Sequence, residues 1–268
     1  AIGLVLLFPA IPTIATETFV TFSKENNTIL LAGTKVIPTI IIDSNTDAGI
    51  KHAVTNLQHD LQKVTDILPV LQNTRHPERS EGSPGQSQSE RPLTMFGMTS
   101  PAIIIGTFGE SELIYKLAEQ GKLNVSSLAG KREMYIIQTV DDNLVIAGSD
   151  KRGTIYGIYE LSQQIGVSPW YYWADVPIRK QESIYIIKGS YTDGEPAVKY
   201  RGIFLNDEAP ALSGWARQTF GGFNHKFYEK VFELILRLKG NFLWPAMWGN
   251  AFYDDDPQTG VLANEMGI

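Results

Sequence analysis

The sequence contains no cysteine among its 268 residues, which excludes disulfide bonds and metal sites built on thiolates. It also lacks the GxSxG pattern of serine hydrolases and the HExxH pattern of zinc peptidases. No apolar run reaches the length of a transmembrane helix, and the formal net charge of −6 argues against nucleic-acid or anionic-membrane partners. We therefore expect no metal, no cofactor, no nucleic-acid partner and no membrane partner.

Residues 1–20 have the pattern of a signal-peptide remnant. Residues 2–10 form a short apolar run, and residues 13–16 are small enough for a cleavage site. The run is too short to cross a bilayer as a helix. We predict export, to a secreted or periplasmic location. The alternative is a hydrophobic N-terminal strand.

Residues 25–190 are predicted to form an N-terminal α/β domain. Strand-like runs at 28–32, 39–42, 103–106 and 183–188 alternate with helical patterns, and a hairpin is expected over 134–147. Asp150 is placed to cap one of the helices. Residues 73–97 are rich in Arg, Glu, Ser, Pro and Gln and nearly free of apolar residues, which predicts a disordered insert.

Residues 199–250 read as a strand, a long loop, a helix and a second strand. The first apolar run covers 200–205, and the second, 241–244, is halted by Pro245. Asn224 is expected to cap a helix over 225–239 that ends at Gly240. Its apolar stripe, spaced for one helix face, consists of Phe227, Val231, Leu234 and Leu238. The opposite, polar face is Lys226, Lys230, Glu233 and Arg237.

Polar and aromatic side chains follow both of these strands. Asn206, Asp207 and Glu208 end the first, whereas Trp244, Trp248 and Asn250 lie at or just beyond the end of the second. The loop over 207–223 spans about seventeen residues, where connections between a strand and a helix commonly run to about six. Indole faces stack on sugar rings, and carboxylates and amides bind hydroxyls, so a carbohydrate site is predicted. The alternative is a pair of capped strands with buried tryptophans.

Two stretches resemble a known enzyme family. RGIFLNDE (201–208) and FYEKVFELILRLKGNFLWPAMW (227–248) closely resemble the start of the catalytic barrel in glycoside hydrolase family 115, the xylan α-1,2-glucuronidases. The segment at 153–177 resembles the end of that family's N-terminal domain. The fold implied is an N-terminal α/β domain followed, at 196–268, by the first βα units of a truncated (β/α)8 barrel.

The resemblance also implies an activity. It predicts an inverting hydrolase that removes glucuronic or 4-O-methylglucuronic acid from xylan, with glucuronoxylan or aldouronic acids as partners and homodimers when full length. Asn206 and Asp207 match a pair in the family's active-site pocket, and we add Glu208, Trp248 and Asn250 as substrate-binding candidates. Arg201 and Arg217 are candidate partners for a uronate carboxylate.

The catalytic acid and base are expected beyond Ile268. Inverting hydrolysis needs two separated carboxyl groups, and the side chains of adjacent Asp207 and Glu208 diverge on an extended backbone. Residues 199–268 number about 70, whereas a (β/α)8 barrel needs about 250, and the last residues read as the interior of a helix. We expect an inactive fragment of an enzyme.

Two other functions stay open at this stage. One is another barrel glycoside hydrolase of hexosaminidase type, and the other is a non-catalytic carbohydrate-binding protein. Asp254, Asp255 and Asp256 lack the alternating spacing of a calcium loop and are expected to form a solvated loop.

Overall fold

The computed structural model of the chain describes residues 17–74 and 101–268. Most of the predicted signal remnant and most of the predicted insert lie outside the described residues. Asn73 and Thr74 are the exception in the insert, because they belong to a strand.

The strands are β1 (Val20–Thr21), β2 (Thr28–Gly33), β3 (Thr39–Asp43), β4 (Val70–Thr74), β5 (Ala102–Thr107), β6 (Tyr135–Val140), β7 (Asn143–Gly148), β8 (Ser183–Ile187), β9 (Ser190–Tyr191), β10 (Gly202–Phe204) and β11 (Phe242–Trp244). The helices are α1 (Ala48–Thr65), α2 (Glu112–Glu119), α3 (Lys151–Gln164), α4 (Ala211–Phe220), α5 (His225–Arg237) and α6 (Pro257–Met266). Among these described residues no helix is both long and apolar enough to span a membrane.

The first part of the chain is built on a six-stranded sheet with the order β4-β3-β5-β7-β6-β9. Strands β4, β3, β5 and β7 are parallel, whereas β6 is antiparallel to both of its neighbours. Helices α1 and α3 pack on one face and α2 on the other. The predicted mixed α/β fold is confirmed. The three strands that we did not predict are β1, β4 and β9, which are short or lie at a sheet edge.

Helix caps set where these helices begin. Asp47 accepts a hydrogen bond from the Gly49 amide at 2.7 Å, and Asp150 accepts one from the Gly153 amide at 2.7 Å. Helix α3 is buried along most of its length because it lies between the sheet, α1 and α5.

The second part contains two parallel strands. Phe204 of β10 pairs with Trp244 of β11, and the chain between them forms α4 and α5. The long loop predicted over 207–223 is therefore wrong in part, since it contains a ten-residue helix. The expectation that the sequence stops inside a helix is also wrong. Helix α6 ends at Met266, and Gly267 follows in the left-handed conformation with φ 92°.

Helix α5 differs from its predicted pattern. Asn224 caps it as expected, accepting from the amides of Lys226 and Phe227. However, Glu233 and Arg237 are buried, because the helix packs on α3 as well as on β11. The residue with positive φ after the helix is Lys239, not Gly240. Glycine is still required at 240, where a Cβ would lie 2.9 Å from the Arg201 carbonyl oxygen.

Buried charges join the two parts of the molecule. Glu133 accepts from Arg152 Nε at 2.6 Å, Arg201 Nη2 at 2.7 Å and Asn241 Nδ2 at 2.7 Å. Arg237 of α5 pairs with Asp60 of α1 at 2.8 Å. One apolar core also runs through both parts, from Phe19 to Met266. The domain boundary near residue 190 stays a prediction.

Candidate active site

The register of β10 and β11 brings the segments that follow them to one edge. The Leu205 amide donates to the Trp244 carbonyl at 2.9 Å, which extends the parallel pairing beyond Phe204. The carboxyl ends of parallel strands meet at the same edge of a sheet, so Asp207 and residues 248–250 become neighbours.

Asp207 is the centre of this cluster. Its side chain is buried, and its Oδ2 atom accepts from the Trp248 amide at 3.0 Å and from Asn250 Nδ2 at 2.9 Å. These two bonds join the segment after β10 to the segment after β11, and Asn250 Nδ2 also donates to the Trp248 carbonyl at 2.9 Å within the second segment. The other carboxylate oxygen, Oδ1, is buried and has no hydrogen-bond partner among the described residues. A buried acceptor without a partner is costly, so Oδ1 has acceptor capacity that the described residues leave unused.

The two tryptophans at and just after the end of β11 are exposed. Trp248 is 70% exposed and Trp244 is 53% exposed, so the alternative of buried tryptophans is wrong. Trp244 lies edge-on to Phe204, with ring centroids 5.5 Å apart. An exposed indole beside a fixed carboxylate can stack on a sugar while the carboxylate accepts from its hydroxyls.

The remaining predicted residues, Asn206 and Glu208, are exposed on either side of the buried Asp207. The structure thus brings Asp207, Trp248 and Asn250 into contact and leaves Asn206 and Glu208 open to solvent. That any of the five binds substrate stays a prediction.

Tyr228 supports the site and was missed by the sequence reasoning. It is buried on α5, where its ring lies 4.9 Å from that of Phe252. Burial raises the pKa of Tyr228 to about 12; the charge of Asp207 also raises the pKa, and a hydrogen bond with the Ala246 backbone lowers it. The only feature of the sequence that points to Tyr228 is its position next to Phe227 on the helix that precedes β11.

The two arginine candidates lie in different places. Arg201 immediately precedes β10, at the end opposite to Asp207, and binds Glu133 and the Lys239 carbonyl. It is therefore not a partner for a uronate at this edge. Arg217 is exposed on α4, in the segment that follows Asp207.

Two of the aspartates at 254–256, Asp255 and Asp256, have structural roles. Asp256 caps α6 and accepts from the His225 amide at 2.8 Å, and Asp255 accepts from the Ala251 amide at 2.8 Å. Within residues 17–74 and 101–268 no group of three His, Asp or Glu side chains is arranged to hold a metal ion.

An α/β domain that leads into parallel βα units, with a carboxylate at the strand ends, is an architecture used by glycoside hydrolases. Residues 193–268 match the sequence model of glycosyl hydrolase family 115. A solved family 115 4-O-methyl-α-glucuronidase with specificity for decorated arabinogalactans is 30% identical, with a TM-score of 0.72. The resemblance to glycoside hydrolase family 115 is therefore confirmed.

The coverage of these matches is unequal. The solved family 115 structure is matched over 90% of this chain but over only 29% of its own chain. No curated protein matches the sequence.

Two further solved structures match this chain at lower identity and lower TM-score. An enzyme of glycoside hydrolase family 138 that targets pectin rhamnogalacturonan II is 13% identical, with a TM-score of 0.45 over 86% of this chain and 30% of that one. The chitobiase of Flavobacterium johnsoniae is 15% identical, with a TM-score of 0.42 over 84% and 25%.

Proposed function

We propose that this chain is the N-terminal part of an inverting glycoside hydrolase that removes glucuronic or 4-O-methylglucuronic acid from a plant polysaccharide. The observation that carries the proposal is Asp207, a buried carboxylate with one oxygen fixed by Trp248 and Asn250 and the other without a hydrogen-bond partner among the described residues. In this proposal Asp207 binds a hydroxyl of the uronic acid, and Trp248 packs against its ring.

Strands β10 and β11 are proposed to be the first two strands of a (β/α)8 barrel. The order strand, two helices, strand and helix, with parallel pairing of the two strands, supports this. The carboxyl groups that protonate the leaving oxygen and activate water would then come from later strands, so the chain of 268 residues is proposed to be inactive by itself.

Two glycans are candidates for the polysaccharide that carries the uronic acid. Xylan was predicted from the family resemblance, whereas the solved relative has specificity for decorated arabinogalactans. The cluster around Asp207 would bind the terminal uronic acid in either case. We keep glucuronoxylan as the proposed substrate and treat arabinogalactan as the competing one.

The test uses the product of the complete gene and the present chain in parallel. The longer protein is expected to release 4-O-methylglucuronic acid from aldouronic acids, and the present chain none. Replacing Asp207 with Asn in the longer protein should lower kcat/KM by about 100-fold, the loss typical of a preorganised polar group in an active site.

A matched control is Asp142→Asn, because Asp142 is an exposed carboxylate on the turn between β6 and β7. It should leave turnover unchanged. Equal activity of the Asp207→Asn and control enzymes would contradict the role of Asp207. Release of uronic acid by the present chain would contradict its inactivity, and faster release from arabinogalactan would overturn xylan as the substrate.

Export and dimer formation stay predictions. A mature protein that begins after about residue 20 would support export, as expected of a signal sequence of that length.

A further inference from the structure

A second crevice lies in the N-terminal part of the chain, apart from the Asp207 cluster. From β3 the chain crosses through α1 to β4 on one side, and from β5 it continues through α2 to the hairpin of β6 and β7 on the other. Neighbouring strands β3 and β5 therefore send their connections in opposite directions. In open α/β sheets, this switch point leaves a crevice at the carboxyl ends of the two strands, where ligands bind.

The opposite placement of the two helices confirms this geometry. Ile50 and Leu57 of α1 pack in one core with Ile40 and Ile42 of β3. Leu113 and Ile114 of α2 pack in a separate core with Ile41 and Ile104. The loops after β3 and β5 thus separate, and the space between them has a volume of about 350 Å³. Ligand pockets start at about this volume, which suits a small molecule.

Most of the residues that line the crevice are polar, and Ile50 is the one large apolar side chain among its described residues. Asp43, Thr107 and Ser111 are buried at its base. Asp43 accepts from Ser111 Oγ and, at 3.1 Å, from Thr74 Oγ1. Ser111 Oγ in turn caps α2 at the Ile114 amide, 3.2 Å away. The carboxylate is therefore held rigidly at the base of an open space, with acceptor capacity beyond its two hydroxyl donors.

The charges select the kind of ligand. Three lining residues are acidic, Asp43, Asp47 and Glu110, and none is basic, so an anion is disfavoured. Asp47 is already paired with Lys151 at 3.1 Å, and Asp43 with two hydroxyls, which lowers the demand for a cation. Neutral hydroxyl donors complete these carboxylates without adding charge.

No aromatic residue lines the crevice, so a sugar there would bind through its hydroxyls and not by stacking. We propose that the crevice between β3 and β5 is a second binding site for a neutral, monosaccharide-sized polyol, with Asp43 as the central acceptor and Glu110 at its mouth. This site is independent of the proposed hydrolase activity.

The experiment uses the whole chain, labelled with ¹⁵N, and follows backbone amide shifts during titration with D-xylose, L-arabinose and D-galactose. At least one neutral sugar is expected to shift the amides of Thr46, Thr107 and Ser111. D-Glucuronate is expected to bind there at least about tenfold more weakly, because it adds a negative charge beside three carboxylates.

Two variants locate the binding. Asp43→Asn should weaken it about tenfold or more, since a charge-assisted acceptor is lost. Glu110 is exposed, so Glu110→Gln should weaken sugar binding a few-fold without affecting the fold. Glu119→Gln, an exposed carboxylate at the far end of α2, should leave the affinity unchanged. The Glu110 variant keeps the test valid if the Asp43 variant unfolds.

Each of the following results would overturn the proposal. These are no shift at the crevice with any neutral sugar, equal or tighter binding of glucuronate, and shifts at the crevice with Mg²⁺ or a simple amine but not with sugars. Shifts confined to the amides around Trp248 would also overturn it while leaving the proposed uronate site intact.

Discussion

Glu133 is the residue on which the contact between the two parts of the molecule is centred. Its buried carboxylate meets Arg152, Arg201 and Asn241, which come from α3, from the start of β10 and from the start of β11. Burial raises the pKa of Glu133, but the hydrogen bonds from Asn241 and Arg201 and the charges of both arginines outweigh it, and the pKa lies below its usual value.

Replacing Glu133 with Gln should lower the free energy of unfolding by about 3 kcal/mol, because two arginines then lose their buried counter-charge. Urea unfolding followed by circular dichroism would measure this. The matched control is Glu112→Gln, which breaks an exposed pair with Lys116 at 2.6 Å and should cost about 0.5 kcal/mol or less. Equal losses of unfolding free energy in the two variants would show that Glu133 stabilises the fold no more than an exposed carboxylate does.

The same carboxylate predicts a pH dependence. Since the folded pKa of Glu133 is lowered, its stabilisation is fully present above the unfolded pKa and is lost as pH falls through the folded one. The difference in unfolding free energy between the native chain and Glu133→Gln should therefore be constant near pH 7 and shrink below about pH 4, the ordinary range of a glutamate. A difference that grew with acidification would contradict the assignment.

At the scale of single elements, the start of α5 depends on one side chain. Asn224 Oδ1 accepts from two amides of the first turn, at 3.1 and 3.3 Å. Asn224→Ala should cost about 1 kcal/mol of stability, and Asn224→Asp, which keeps an acceptor, much less. Thermal unfolding of the two variants would measure these losses of stability. Equal losses would show that the effect of Asn224→Ala does not come from the lost helix cap.

Helices α1 and α5 are joined by a buried ion pair that can be tested by a double-mutant cycle. Arg237 binds Asp60 of α1 and Glu233 of its own helix, at 2.8 and 2.9 Å. Asp60→Leu and Arg237→Met should each cost about 3 kcal/mol, because each removes one charge from a buried group of ion pairs. The double variant should lose less than the sum by about 1 kcal/mol or more. The unfolding free energies would be measured by urea unfolding. If the losses of the two single variants simply added up in the double variant, Asp60 and Arg237 would not interact.

These elements also show what the sequence could predict. The caps Asn224 and Asp150 are local, so side-chain chemistry identified them. Helix α4 was missed because it has no side-chain cap and contains Gly214. Glu233 and Arg237 were assigned to solvent because periodicity assumes one buried face. Their partners, Tyr171 and Asp60, are distant in sequence, and no local pattern encodes them.

The candidate site was predictable to the extent that strand order determines it. Consecutive parallel strands require Asp207 and residues 248–250 to share an edge, and they do. Which side chain of the Asn206–Asp207–Glu208 run turns inward depends on the packing of α4 and α5 beneath it. The same packing places Tyr228 near Asp207, and neither could be read from composition.

At the scale of the whole molecule, one face of the sheet formed by β10 and β11 is exposed and aromatic. Tyr200 and Phe242 lie edge-on at 6.2 Å, as do Phe204 and Trp244 at 5.5 Å, and all four are exposed. Contiguous apolar surface of this kind normally contacts another part of a protein. In the proposed barrel this face would point inward and pack against further strands.

The chain of 268 residues should therefore bind the dye ANS and associate at high concentration. The double variant Phe204→Thr/Trp244→Thr should lose at least about half of the dye fluorescence, because it removes one of the two aromatic pairs. Tyr115→Ser, which removes an isolated exposed aromatic on α2, should change little. Sedimentation velocity over a range of concentrations would measure the association. If the double variant bound the dye as strongly as the native chain, the exposed aromatic face would not be the surface that binds ANS. The assignment of this face to a barrel interior would then lose its support.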